Sequence, residues 1–272
     1  MTPDLVFHVS HVRVEVICPH DQVLKGIRAI WGNAESPQLP VTRVARVSLS
    51  EPAPFTMMCD GEELAELDEA RLLPQFERRL YQLIRGWHQE YTVLHGALLQ
   101  RDDDLLMVTG SSDTGKSSLA LHAVRQGWQY RTDEITVTDG VRLWGVSRAI
   151  QFNPTPVGSS LPDFLRDADT DSYQWLDHDG SELFQPVYSY RWQGSNCPLE
   201  CQAASVVFLE RSARFSCSKL PAVDALARLY AATFIGPHHD LGVLAANAWL
   251  LQYAELTDAF RVMEMPAIQE LG

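Results

Sequence analysis

Between the apolar run Leu105-Leu106-Met107-Val108 and the stretch Leu119-Ala120-Leu121 lies Gly110-Ser111-Ser112-Asp113-Thr114-Gly115-Lys116-Ser117-Ser118. The spacing Gly-x-x-x-x-Gly-Lys-Ser is the P-loop, or Walker A, pattern. Its residue types suit one task. Glycines let the backbone curve tightly and come close to a ligand. Successive backbone N–H groups converge on an anion where a helix begins. Residues 110–118 are therefore expected to hold the phosphates of ATP, with Lys116 on the β- and γ-phosphates and the Ser117 hydroxyl on Mg²⁺. A Gly/Ser turn that merely ends a strand is the bland alternative, and the flanking apolar segments argue against it.

Two further groups stand near the loop in sequence, His95-Gly96 before it and Asp133-Glu134 after it. A hydroxyl that attacks a phosphoryl group needs a carboxylate within hydrogen-bond reach to take its proton. The γ-phosphoryl oxygens need cations, which Lys116 and Mg²⁺ would supply. Adjacent residues on a strand point to opposite faces. Both acids can serve one site only if the strand ends or bulges there.

The run from His95 to Val137, HGALLQRDDDLLMVTGSSDTGKSSLALHAVRQGWQYRTDEITV, resembles the catalytic core of the HPr serine kinase/phosphorylase family, whose nucleotide-binding fold is shared with phosphoenolpyruvate carboxykinase. The resemblance spans residues 93–150. It implies that the loop 110–118 binds ATP and that Asp133 accepts the proton of the attacking hydroxyl. It also implies that Glu134 holds Mg²⁺ with Ser117, and that His95 sits beside the reacting phosphate and Asp133. The second acid is Glu134 where the protein-phosphorylating members carry Asp. An arginine is common in such sequences near Arg148, a candidate contact to substrate or phosphate; Arg131 is a weaker one. The chain looks like the divergent members, some of which are peptide-tailoring kinases, and the resemblance is compatible with a homo-oligomer.

The elements that must position these groups are legible as a pattern. Val93 to Leu99 and Leu105 to Thr109 read as strands, and Lys116 to Gln126 as a helix stopped by Gly127. Tyr130 to Thr132, Ile135 to Thr138 and Val141 to Val146 read as strands, the last pair joined by Asp139-Gly140. Ser205 to Leu209 and Phe260 to Met265 read as strands, and Arg214 to Leu220 as a segment that could pair with the first of them. Ala222 to Phe234 and Leu241 to Leu256 read as helices. Residues 1 to about 60 form apolar bursts typical of a β-rich or mixed region. Gly61 to Ala70 is expected to begin a helix. From Gln75 to Glu90 the apolar residues Phe76, Leu80, Leu83, Ile84 and Trp87 share a helical face that starts after Pro74. The expected organisation is thus an N-terminal accessory region (1–74) and an α/β P-loop core with a mixed sheet (75–272), interrupted by an irregular acidic insert at about 151–197.

Composition narrows the class. A net charge of −13 opposes nucleic acid or an anionic membrane surface as partner. The absence of an apolar run of about 18 residues opposes a spanning helix, and five cysteines without a framework rhythm fit a reduced, cytoplasmic protein. Cys197 and Cys201 lack a matching second pair for zinc. The segment from Asp167 to Glu182 alternates acids but carries Ser172 and His178 where a calcium loop wants Gly and Glu, so a solvated loop or a lid is expected. His238-His239-Asp240 reads as a helix entry capped by Asp240. Trp175, Tyr188, Tyr190 and Trp192 read as packing residues. The leading expectation is an ATP- and Mg²⁺-dependent kinase acting on a hydroxyl of a peptide, protein or small molecule. A nucleotide-binding regulatory or assembly factor with slow hydrolysis is the alternative, and a phosphotransferase with another donor a third.

Overall fold

The computed structural model describes residues 2–9, 11–31, 41–50, 55–67, 72–87, 91–111, 114–138, 142–146, 148–152, 170–174, 186–190, 199–200, 204–210 and 218–233. The described residues form an α/β structure with mixed sheets and few helices. It divides into two compact units, residues 1–87 with 147–193, and residues 88–146 with 194–272. The first boundary thus follows the helix that the sequence reading assigned to the core. The segment 147–193, which includes most of the acidic insert, belongs with the N-terminal unit.

The first unit contains a five-stranded sheet, β1 (Leu5–Val9), β2 (Val12–Ile17), β3 (Arg43–Leu49), β4 (Phe55–Cys59) and β5 (Glu62–Leu67), in that spatial order. β2 and β3 are parallel, a pairing that needs a crossover. The helix α1 (Asp21–Trp31) lies between them in sequence and buries Val23, Ile27, Ile30 and Trp31. Helix α2 (Leu72–Trp87) buries Phe76, Leu80 and Ile84 at helical spacing. Trp31 stacks on Phe7 with centroids 5.3 Å apart and meets the Tyr81 ring at 5.9 Å.

The expected helix from Gly61 is not formed up to Leu67: residues 62–67 are β5, antiparallel to β4. Asp60 and Gly61 have φ of 52° and 89°, which is the left-handed two-residue turn that closes a hairpin and matches strand twist. The Asp-Gly signal outweighs the helix propensity of the acidic residues because the hairpin pairs β5 with β4 along its length, with one register shift that leaves out Leu64. A three-stranded antiparallel sheet, β11 (Ile150–Phe152), β13 (Pro186–Tyr190) and β12 (Thr170–Gln174), also falls in this unit.

The second unit is built on a seven-stranded sheet. Its members are β6 (Thr92–Arg101), β7 (Asp104–Gly110), β8 (Gln129–Thr132), β9 (Ile135–Thr138), β10 (Arg142–Gly145), β14 (Leu199–Glu200) and β15 (Ala204–Leu209). The order is β14-β10-β9-β6-β7-β15, with β8 also on β6. β7 and β15 are parallel and the other neighbours antiparallel, as the expected mixed sheet requires. Helix α3 (Lys116–Arg125) follows β7 and packs on β6, β7 and β8. Helix α4 (Ala222–Ala231) brings Leu229 onto a buried cluster of Leu94, Leu98, Leu105, Met107, Leu143 and Val206. Among the described residues no helix is long and apolar enough to cross a membrane. Cys197, Cys201, the residues of 167–182 other than 170–174, His238, Asp240, Trp175, Trp192 and the expected elements 241–256 and 260–265 lie outside the described residues.

Candidate functional site

Three segments of the second unit meet because of strand register. β6 and β7 pair with Gly96 opposite Thr109, so His95-Gly96 flanks the point where β7 runs out into residues 110–115. On the other edge of β6, β8 pairs as far as Thr132 opposite Leu98, and β9 begins with Ile135 opposite His95. Asp133 and Glu134 are therefore the gap in what would otherwise be one continuous strand. That gap is the strand break which adjacent acids need if both are to serve one place.

Local chemistry explains the break. The Thr132 hydroxyl oxygen accepts from the backbone N–H of Glu134 at 3.3 Å and of Ile135 at 3.2 Å, a side-chain substitute for ladder bonds. The Glu134 carbonyl is taken by the Gly96 N–H at 3.0 Å, and the Thr136 hydroxyl donates to the Gly96 carbonyl at 3.0 Å. Gly96 tolerates no side chain: a Cβ there would lie 2.8 Å from the Val108 carbonyl oxygen. His95 is held equally firmly, its N–H on the Ala232 carbonyl at 2.7 Å and its carbonyl accepting from the Thr109 hydroxyl at 2.9 Å.

The loop enters α3 through Gly115, which has φ of 101° and provides no side-chain cap for the first-turn N–H groups. The Lys116 side chain is 7% exposed. Its ammonium donates to the carbonyls of Gly110 at 3.0 Å and Ser111 at 2.9 Å, which turns the charge back over the loop. Thr114 braces the same loop by donating to the Ser111 carbonyl at 2.8 Å. Ser118 is half-buried in the first turn, and Ser112 and Asp113 lie outside the described residues.

The acids then differ in partner. Ser117 donates its hydroxyl hydrogen to Asp133 Oδ2 at 2.8 Å, and Tyr130 donates to Oδ1 at 2.8 Å. Asp133 is 1% exposed. His95 Nε2 lies 3.3 Å from Glu134 Oε1, and each of those side chains is 30% exposed. Ser117 thus meets Asp133 and His95 meets Glu134, where the resemblance implies Ser117 with Glu134 and His95 with Asp133. Tyr130 is the site residue that sequence reading missed. Its only signal was position, three residues before Asp133, and that spacing acquires meaning only once the strand breaks.

Each candidate arginine has partners within its own unit. Arg131 is buried and donates to the side-chain oxygens of Gln100 and Gln129. Arg148 belongs to the first unit, where it faces Glu77 at 3.4 Å and the Tyr81 ring at 5.4 Å.

Among the described residues no group of three His, Cys, Asp or Glu stands ready to hold a metal. Magnesium takes hard oxygen ligands, keeping several waters and needing only one or two oxygens from protein beside substrate phosphates. The paired oxygens of Ser117 and Asp133 have that hard character. No protein-family model matches the chain, and no curated protein matches it.

Proposed function

We propose that this protein is an ATP-dependent kinase of the HPr serine kinase-like type, with a P-loop core, transferring the γ-phosphoryl group to a hydroxyl of a peptide, protein or small molecule. The observation that carries the reading is the 2.8 Å hydrogen bond between Ser117 and Asp133, formed directly beside the buried Lys116 at the mouth of α3. A hydroxyl on a carboxylate next to an ammonium and a set of first-turn N–H groups is a place for phosphate and its counter-cation.

On this reading the N–H groups at the start of α3 and the Lys116 ammonium bind the phosphates of ATP. Phosphate oxygens would replace the carbonyls of Gly110 and Ser111 as acceptors of the Lys116 hydrogens. Mg²⁺, held on the Ser117 and Asp133 side with ATP, would neutralise charge developing on the β- and γ-oxygens. A carboxylate of the strand break takes the proton of the attacking hydroxyl as the new oxygen–phosphorus bond forms. ADP leaves with the electrons of the broken bond. His95, on the strand that pairs with β7 ahead of the loop, would meet the transferred group.

Calorimetry with Mg·ATP tests the reading. The wild-type chain should bind, and Lys116→Ala should bind at least about tenfold more weakly, the loss expected for a charged hydrogen bond of about 1.5–3 kcal/mol. Radiolabelled ATP with serine peptides should then yield labelled peptide. Absence of Mg·ATP binding would overturn the proposal. ATP turnover that proceeds without any acceptor and ignores Asp133→Asn and Glu134→Gln would favour a nucleotide switch.

A further inference from the structure

The two acids of the strand break have unequal access. Asp133 is 1% exposed, and each of its oxygens already accepts a hydroxyl hydrogen, from Ser117 on one side and Tyr130 on the other. A general base must come within about 3 Å of the proton it removes, and an acceptor alcohol has little room to do so at an enclosed carboxylate. Glu134 is the reverse case. Its carboxylate is 30% exposed and lies 3.3 Å from the equally exposed ring of His95. The backbone of His95 is fixed at both its N–H and its carbonyl, so the ring rises from a stationary point on β6. By strand alternation it does so on the face opposite Leu94 and the cluster under α4.

We propose, resting on the kinase reading above, that Glu134 and not Asp133 is the catalytic base. His95 is its positioning partner, and Asp133 is a positioning residue that acts through Ser117 on the metal side. The acceptor hydroxyl forms its bond to the γ-phosphorus while the bond from that phosphorus to the β–γ bridging oxygen breaks. The bridging oxygen leaves with ADP and keeps the electron pair. The hydroxyl proton passes to the Glu134 carboxylate and leaves through its exposed side. Asp133 keeps the Ser117 oxygen turned toward the nucleotide, and Tyr130 keeps Asp133 in place. This arrangement exchanges the roles implied by family resemblance.

The decisive experiment separates nucleotide binding from transfer. ADP affinity is measured by calorimetry with magnesium and with chelator, in the wild type, Asp133→Asn and Glu134→Gln. Turnover of radiolabelled ATP is followed with water and with a serine-peptide library as acceptors. Asp133→Asn should abolish most of the magnesium-dependent increase in affinity, and Glu134→Gln should leave it within about twofold. Glu134→Gln should instead lower turnover by about 10²–10⁴-fold at unchanged KM for ATP. If Asp133→Asn does not fold, Tyr130→Phe probes the same side and should weaken the magnesium effect in part. The opposite pattern, magnesium dependence lost in Glu134→Gln and turnover alone lost in Asp133→Asn, overturns the exchange and leaves the kinase intact. No effect of either change overturns it too. A wild type that binds no ADP under either condition removes the kinase reading and this assignment together.

Discussion

Two hydroxyl donors orient the buried acid near the loop. Asp133 is fixed by Ser117 and Tyr130 at 2.8 Å each, so its carboxylate is oriented and satisfied, as a buried charge must be. Thr109 and Thr136 likewise donate to the carbonyls of His95 and Gly96, while the Thr132 hydroxyl oxygen accepts from the N–H groups of Glu134 and Ile135. Cys59, in the other unit, gives a titration that can be measured. Burial, with the Asp60 carboxylate beside it, pushes the thiol up from 9.0 to about 11. The folded chain therefore keeps this proton between pH 9 and 11 while the unfolded chain loses it. The unfolded state binds fewer protons there, so stability should be level below pH 9 and fall as pH rises to 11. Denaturant midpoints across that range should show the fall, and Cys59→Ala should lack the part due to the thiol.

Elements place these groups through register. β8 and β9 both pair with β6, and the two residues between them leave the ladder opposite the position where β7 releases the loop. The arrangement depends on the close approach of three strands at Gly96. Gly96→Ala would put a methyl 2.8 Å from the Val108 carbonyl oxygen and 3.2 Å from the Met107 methyl. A destabilisation of about 1–3 kcal/mol is expected, as for overpacked cores, read as a lower denaturant midpoint at constant slope. An unchanged midpoint would mean that β6 and β7 can separate without cost. The hairpin of β4 and β5 carries the converse lesson. There the Asp60-Gly61 turn set the path of an acidic segment whose composition favoured a helix.

For the molecule as a whole, Arg148 is assigned to the first unit, and the loop with Asp133 and Glu134 to the second. In the first unit the Arg148–Glu77 pair is 4% and 3% exposed, and removing one member of a buried pair strands the other. Arg148→Met should therefore cost about 3–5 kcal/mol, visible as early unfolding of the unit formed by residues 1–87 and 147–193. Unchanged stability with weakened phosphate transfer would instead make Arg148 a substrate contact.

The phosphate-loop spacing, the strand before it, the helix after it and the acidic pair could all be read from residue order, because each is a local pattern: glycine freedom, apolar periodicity, a run of three or four neighbours. The mixed sheet followed from the alternation of such segments. Which acid faces Ser117 and which faces His95 could not be read that way. That choice depends on where a strand breaks against a neighbour 37 positions earlier (Gly96 to Asp133), and on a tyrosine hydroxyl whose reach matters only after the break has formed. The same holds for Arg148, whose position in the chain is close to the core but whose guanidinium is paired with a helix 71 residues away. Long-range pairing, with the burial it imposes, is a property of the packed chain and leaves no local trace in residue order.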